Sequence, residues 1–235
     1  MKIEQTDDCK NDRGLYFEKI GGNFDKWMSD YDVYRRAELI RKHLGNRAIG
    51  KSCLEVGCGT GKISSAIVDV VGVLTVSDIS EKLARQVGET MGVAWMQQDA
   101  CSLNIPDNSF DVVISSECIE HVPDPAKALR EMARVLKPGG LIVVTTPNKL
   151  WYPVLWLSMI TGIRKFAGRE IWMFPYSAAR ILKSEGIGDL GLDGCHLFPW
   201  QIPFAKRVLP FFDRAGKFLY PLMINFCVSG AKRPS

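Results

Sequence analysis

Between residues 52 and 147 the chain alternates short apolar runs with stretches whose apolar positions recur every three or four residues. Ser52–Val56 (SCLEV) reads as a short buried strand and Lys62–Val71 as the helix after it. Val73–Ser77 (VLTVS) predicts a second strand ending at Asp78, and Ser80 is placed to cap a helix running to about Met91. Val93–Gln98 predicts a third strand ending at Asp99, and Phe110–Ser115 (FDVVIS) a fourth. Asp124 opens the next helix, with Pro125 in its first turn and Leu129, Met132, Ala133 and Leu136 along one face. Lys137-Pro-Gly-Gly stops it before a fifth strand, Leu141–Thr146 (LIVVTT).

Ahead of this block, DYDVYRRAEL reads as a leading amphipathic helix. Past Pro147 the pattern loosens. Leu150–Ile163 looks helical and rich in aromatics, Ser177–Ser184 is a clearer helix, and Ile187–Leu197 holds a sixth strand. Ile202–Leu219 reads as one further helix and Met223–Ser229 as the last strand. Strands apolar throughout, alternating with helices, predict an α/β fold: a doubly wound, mostly parallel seven-stranded sheet with helices on both faces and an aromatic-rich insertion after strand 5. The expected organisation is one domain over 1–235, with leading helices to 50, a ligand-binding core over 51–147 and an acceptor-side insertion with the last strands over 148–235.

Composition adds little to this and removes some classes. The 235 residues carry a net charge of +4, too mild a balance to point to nucleic acid. Seven cysteines form no C-x-x-C pair and several sit in apolar runs, which suits reduced thiols and a cytoplasmic setting and leaves no zinc spacing. The polar first residues lack the apolar core of a secretory signal. Leu150–Ile163 is too short to span a bilayer and holds a proline and a glycine, so the chain reads as soluble with membrane-surface contact left open.

The chemistry sits at the first strand's end, where LEVGCGTGK places three glycines in five residues. Glycine disfavours helix and strand alike, so a run of this kind marks a turn that a ligand must approach closely. Asp78 follows Gly57 by 21 positions, the separation at which a carboxylate meets a ribose in nucleotide-binding folds. A dinucleotide fingerprint would need a small residue at position 62, which is Lys. Glu55, inside the strand end, would repel a diphosphate and suit a cationic ligand. The ligand these residues ask for is a nucleoside with a positively charged amino-acid tail.

EVGCGTG resembles the first motif of class I S-adenosylmethionine-dependent methyltransferases. The resemblance continues through VSDIS, QQDA, FDVVISSECIEHVPD and LREMARVLKPGGLIVVTTP, in family order from Ser52 to Pro147, and is strongest toward the small-molecule branch that includes enzymes of quinone biosynthesis. It implies S-adenosylmethionine as cofactor and S-adenosylhomocysteine as product. Gly57, Cys58, Gly59 and Gly61 would meet the methionine and ribose, with Glu55 on the ammonium side. Asp78 would take the ribose hydroxyls and Ile79 would lie against the adenine. Asp99 would accept from the adenine amino group, beside Ala100. Ser116 matches a backbone contact to the methionine part, and Arg36 an arginine that reaches the cofactor carboxylate.

A hydroxyl acceptor needs a proton acceptor, and the chain has three histidines. His121, in SECIEHVPD, is the candidate general base, oriented by Glu120 or Glu117; His196, near the end of the sixth strand, is a second candidate; His43 reads as structural. Two aromatic segments, 151–176 and 196–204, follow strand ends and would form a lid over an apolar or lipid-linked acceptor, with Arg164, Lys165 and Arg169 meeting an anionic headgroup. The reading is therefore O-methylation of a small molecule. Its rivals are a cofactor-binding partner subunit without activity and, against Lys62 and Glu55, a nicotinamide-dependent oxidoreductase.

Overall fold

In a computed structural model describing residues 29–160, 170–202 and 204–234, seven strands form a single sheet. They are β1 (Ser52–Val56), β2 (Val73–Asp78), β3 (Ala94–Gln97), β4 (Phe110–Ser116), β5 (Leu136–Pro147), β6 (Ile187–Cys195) and β7 (Asn225–Lys232). Their order is β3-β2-β1-β4-β5-β7-β6, parallel from β3 to β5, with β7 antiparallel to both β5 and β6. The helices are α1 (Asp30–Leu44), α2 (Lys62–Ile67), α3 (Glu81–Met91), α4 (Pro125–Val135), α5 (Tyr152–Ile160), α6 (Pro175–Ser184), α7 (Ala205–Asp213) and α8 (Gly216–Leu219). The expected mostly parallel α/β sheet is present. Arg164, Lys165 and Arg169 lie outside the described residues.

The two-residue period of the strands sorts each apolar run into two cores. On one face Leu54, Val56, Val113, Ile142, Val144, Phe226 and Val228 pack with Leu129 and Met132 of α4 and Leu182 of α6. On the other, Cys53, Val112, Ile114, Leu141, Val143 and Cys227 pack with Ile40 and Leu44 of α1, Ile67 of α2 and Val87 of α3. The two caps read from sequence form: Ser80 Oγ accepts from Leu83 N at 3.1 Å and Asp124 Oδ1 from Lys127 N at 2.9 Å. No disulfide joins the six described cysteines.

Several boundaries differ from expectation. The helix after β1 ends at Ile67 and passes into a 3-10 turn, Val68–Val70. Residues 137–140, expected as a helix stop, run inside β5 as an irregular lead-in: Leu136 pairs with Phe110, and Leu141 with Val112. The helix expected over 202–219 is two helices. Gly216 approaches β6 so closely that a Cβ there would lie 2.2 Å from Asp193 Oδ1, a contact only glycine allows, and the chain breaks to reach it. The last strand begins at Asn225 rather than Met223 and continues to Lys232, because it pairs with β6 from Cys195 back to Ile187.

Phe226 lies fully buried on β7, between β5 and β6. Phe226→Ala is expected to lower stability by about 3–5 kcal/mol, read from the urea midpoint at unchanged slope.

Candidate active site

β1 and β4 are neighbours, but the chain leaves them in opposite directions, to β2 and β5, so a crevice opens beyond their carboxyl ends. A cavity of about 730 Å³ occupies it, a size that suits a nucleoside and a small second ligand together.

The turn after β1 forms one wall. Gly57 N and Cys58 N both donate to Ser77 O, at 2.8 and 2.9 Å. Gly57 has φ +80°, and a Cβ there would stand 2.3 Å from Cys118 Sγ, in the turn after β4. Gly59 has φ +53° and open space where a Cβ would be, and it lines the cavity. Its N–H donates to Asp78 Oδ2 at 2.9 Å, while Asp78 Oδ1 accepts from Ser80 N at 2.9 Å. Both carboxylate oxygens keep acceptor capacity for a ligand. Cys58, Asp78, Ile79, Asp99 and Ala100 all line the cavity; Gly61 does not, and instead opens α2.

Glu55 is buried, lines the cavity and accepts from Ser64 Oγ. Burial pushes its carboxyl up to about 8, against that hydrogen bond and with help from the nearby Asp78 charge. In the protein alone burial therefore favours the neutral acid, which weakens the repulsion of a diphosphate expected from sequence.

α1 supplies a second wall. Arg36 is 3% exposed; its Nη2 and Nε donate to Asp32 Oδ2 at 2.8 and 3.1 Å, and its Nη1 to Ser116 Oγ at 3.0 Å. His196 Nε2 lies 3.0 Å from Asp32 Oδ1. Burial alone would raise Asp32, but the guanidinium and the hydrogen bond from His196 outweigh it and hold the carboxyl at about 2. Arg36, Asp32 and Ser116 line the cavity. His196 does not: it is fully buried, its ring 4.8 Å from that of Trp200, with its backbone N–H donated to Asp213 Oδ1. It stands behind Asp32 rather than facing an acceptor.

The third wall is carboxyl-rich. A one-turn segment after β4, Ile119–His121, carries Glu120 and His121 onto the cavity, with His121 Nε2 3.9 Å from Glu120 Oε1. Glu120 is 1% exposed and accepts from Thr146 Oγ1 at 3.0 Å; burial, then the neighbouring Glu117, drives its carboxyl well above the ordinary range. Glu117 and Glu170 line the same space, and Asn225 Nδ2 donates to Glu117 Oε2 at 2.9 Å. Trp151, Trp172 and Trp200 from the two aromatic segments close the cavity, whereas Trp156, Phe174, Tyr176 and Phe204 are exposed. His43 lies elsewhere, bonded to Ser229 and close to Asp193. Among the described residues no His, Cys, Asp and Glu side chains gather closely enough to hold a metal ion.

Sequence reasoning missed Asp32, Glu170 and Asn225. The i, i+4 spacing of Asp32 and Arg36 on one helix face was the one available signal. Asn225 meets Glu117 only through the β5–β7 pairing.

Comparison with known proteins places the chain among relatives. A family model described as a methyltransferase domain matches residues 54–144. The chain is 33% identical over 215 residues to a probable S-adenosylmethionine-dependent methyltransferase of Mycobacterium tuberculosis, covering 89% of this chain and 74% of that protein. It is 28% identical over 166 residues to a ubiquinone biosynthesis O-methyltransferase of Coxiella burnetii, 66% of this chain and 71% of that one. A solved structure of a Thermotoga maritima S-adenosylmethionine-dependent methyltransferase, a possible histamine N-methyltransferase, superposes with a TM-score of 0.67 at 18% identity, over 92% of this chain and 98% of the other.

The raised Glu55 carboxyl makes the free protein's stability depend on pH. A group that holds its proton more tightly when folded gives stability that is full below its unfolded value of 4.5 and falls as pH rises to about 8. The unfolding free energy of the ligand-free protein, read from urea titrations, should therefore drop from pH 6 to pH 8, by up to about 1.4 kcal/mol per pH unit from this group. Glu55→Gln should flatten that slope; an unchanged slope counts against the assignment.

Proposed function

The chain belongs to the S-adenosylmethionine-dependent methyltransferases, with S-adenosylmethionine as its cofactor, and from that premise we propose O-methylation of a small molecule in the cavity beyond β1 and β4. The observation that carries this reading is the continuity of one cavity from Gly59 and Asp78 to His121 and Trp172. The residues fit the cofactor. The glycine turn leaves room for close approach at Gly59, Asp78 retains acceptor capacity for two ribose hydroxyls, and Arg36 offers a guanidinium to a carboxylate. Asp99, Ile79 and Ala100 form the adenine end, and Ser116 and Cys58 flank the methionine portion. Gly61 serves this site indirectly, by starting α2.

Bound there, the cofactor supplies a methyl group already activated on a sulfonium, so the protein's task is alignment and proton removal. His121 takes the proton of the acceptor hydroxyl, with Glu120 beside it as an uncharged neighbour. His196 is a positioning residue: it holds Asp32, which holds Arg36. The O-methyltransferase of Coxiella burnetii supports oxygen as the acceptor atom.

Incubating the protein with S-adenosylmethionine and a panel of phenols, quinols and sugars should yield S-adenosylhomocysteine with at least one hydroxyl acceptor. Cofactor binding without turnover on any acceptor would favour the inactive partner subunit instead. Arg36→Gln should weaken cofactor binding about ten- to a hundredfold by calorimetry, the loss of one charge-assisted contact.

A lipid-linked acceptor is the second reading, favoured by α5. Trp151, Val154 and Ser158 line the cavity, while Trp156, Leu157 and Ile160 stand exposed at 55%, 57% and 61%. A helix that leaves Trp156, Leu157 and Ile160 exposed presents an apolar face suited to a second apolar phase. Cosedimentation with anionic vesicles is expected, and Trp156→Ser with Ile160→Ser should reduce it severalfold; a protein that stays in the supernatant excludes this form of the reading.

A further inference from the structure

Glu117 is the first residue past β4 and has φ +51°, a conformation that costs a side chain-bearing residue free energy and persists only where its surroundings impose it. Its Oε2 is held by Asn225, yet its Oε1 is buried without a hydrogen-bond partner, and so is Asn225 Oδ1. Both residues line the cavity. Buried acceptors without donors are rare in folded proteins, and these two belong to side chains that are bonded to each other on the cavity wall.

The charges facing Glu117 define which partner would suit these acceptors. From α1 come Arg36, already engaged by Asp32, and Asp32 itself; from the turn after β4, Glu120 and His121; from the segment before α6, Glu170; from β6, the Cys195 thiol; from β7, the uncharged Asn225. Acids dominate this surface. Neither acceptor atom asks for an anion, and an apolar group would leave both unmet. A cation suits them, and the reaction brings one into this cavity and then removes it. The sulfonium is positive before transfer. When the acceptor oxygen takes the methyl carbon, the carbon–sulfur bond breaks, its electron pair stays on sulfur, and the product is a neutral thioether.

We propose that Glu117, backed by Glu120 and fixed by Asn225, reads the charge on the cofactor's sulfur, retaining S-adenosylmethionine and releasing S-adenosylhomocysteine. This rests on the reading that the cofactor occupies the cavity beyond β1 and β4. Burial pushes the Glu117 carboxyl up to about 7, Arg36 opposing and Asp32 adding to it. A neighbouring cation favours its ionised form, so a sulfonium should expel the proton and a thioether should not. Glu55, near the ammonium that both molecules share, responds to both and cancels in the comparison.

The test is calorimetry of the full chain with S-adenosylmethionine and with S-adenosylhomocysteine, in EDTA, in buffers of different ionisation enthalpy. At pH 7 the sulfonium ligand should release about half a proton more per site, and the ratio of the two affinities should move about tenfold toward it between pH 6 and pH 8. Glu117→Gln should abolish both differences while S-adenosylhomocysteine affinity stays within about twofold. Glu117→Asp should retain the sign of both. Equal proton release by the two ligands overturns the proposal without any variant, and so does a Glu117→Gln protein that loses both affinities alike. If neither ligand binds, the cofactor assignment of the cavity fails and this proposal with it; if both bind with identical pH dependence, only the proposal fails.

Discussion

The turn after β1 and the turn after β4 meet with no room for a side chain between them. At Gly57 the missing Cβ would overlap Cys118 Sγ at 2.3 Å. That contact fixes the spacing of the two turns at the point where the strand order reverses, and so sets the position of the cavity's walls. It also explains why the glycine run interrupts a stretch otherwise suited to a strand and a helix. Gly57 N–H and Cys58 N–H go to Ser77 O on β2, which ties the same turn to Asp78, one residue further along. Backbone closeness, rather than any single side chain, holds Asp78, Glu55 and the β4 turn in register.

Around that frame the fold buries charge in two different ways. Asp32 and Arg36 are a satisfied pair, the guanidinium shared between a carboxylate and Ser116, with His196 on the carboxylate's other oxygen. Such a pair is costly to break and adds little net stability over apolar packing, so its use is geometric: it fixes a cation at the cavity wall. Glu55, Glu117 and Glu120 are the opposite case. Each is driven by burial toward the neutral acid, and each can ionise when a cation arrives. The Arg36 wall is rigidly charged, and the wall of Glu55, Glu117 and Glu120 is adjustable.

Sequence made one half of this legible. β1 to β5 announce themselves because a parallel strand buried on both faces must be apolar throughout, and Gly57, Asp78 and Asp99 fall at strand ends where the fold gathers ligands. The rest depends on contacts distant in the chain. The break between α7 and α8 follows from Gly216 meeting Asp193 on β6, which no local pattern encodes. His196, expected inside the sixth strand near its end, instead follows the strand's last residue, Cys195, and a φ of +64° and its bonds to Asp32 and Asp213 place it behind α1 rather than on the cavity wall. Glu117 reads from sequence as a helper of His121; its unpaired oxygen and its tie to Asn225, 108 positions away, exist only after β7 has inserted beside β5.

The same division explains where the acceptor half is built. With the cofactor placed, as proposed, at the carboxyl ends of the parallel strands, the second ligand would be enclosed by segments that lie past β5: α5, the approach to α6 and the stretch between β6 and α7. These carry Trp151, Trp172 and Trp200 inward and leave Trp156, Phe174 and Phe204 in water. A chain that needed only a lid would make the outer surface polar, since an exposed indole or benzyl group contributes nothing to a folded monomer in water. Val154 of α5 lines the cavity while Trp156, Leu157 and Ile160 of the same helix are exposed, an arrangement that the proposed lipid-linked acceptor would use. On the proposed reading the acidic wall and the aromatic lid would divide the work: one would meet the charge that the cofactor loses, and the other would shelter an acceptor with little charge of its own.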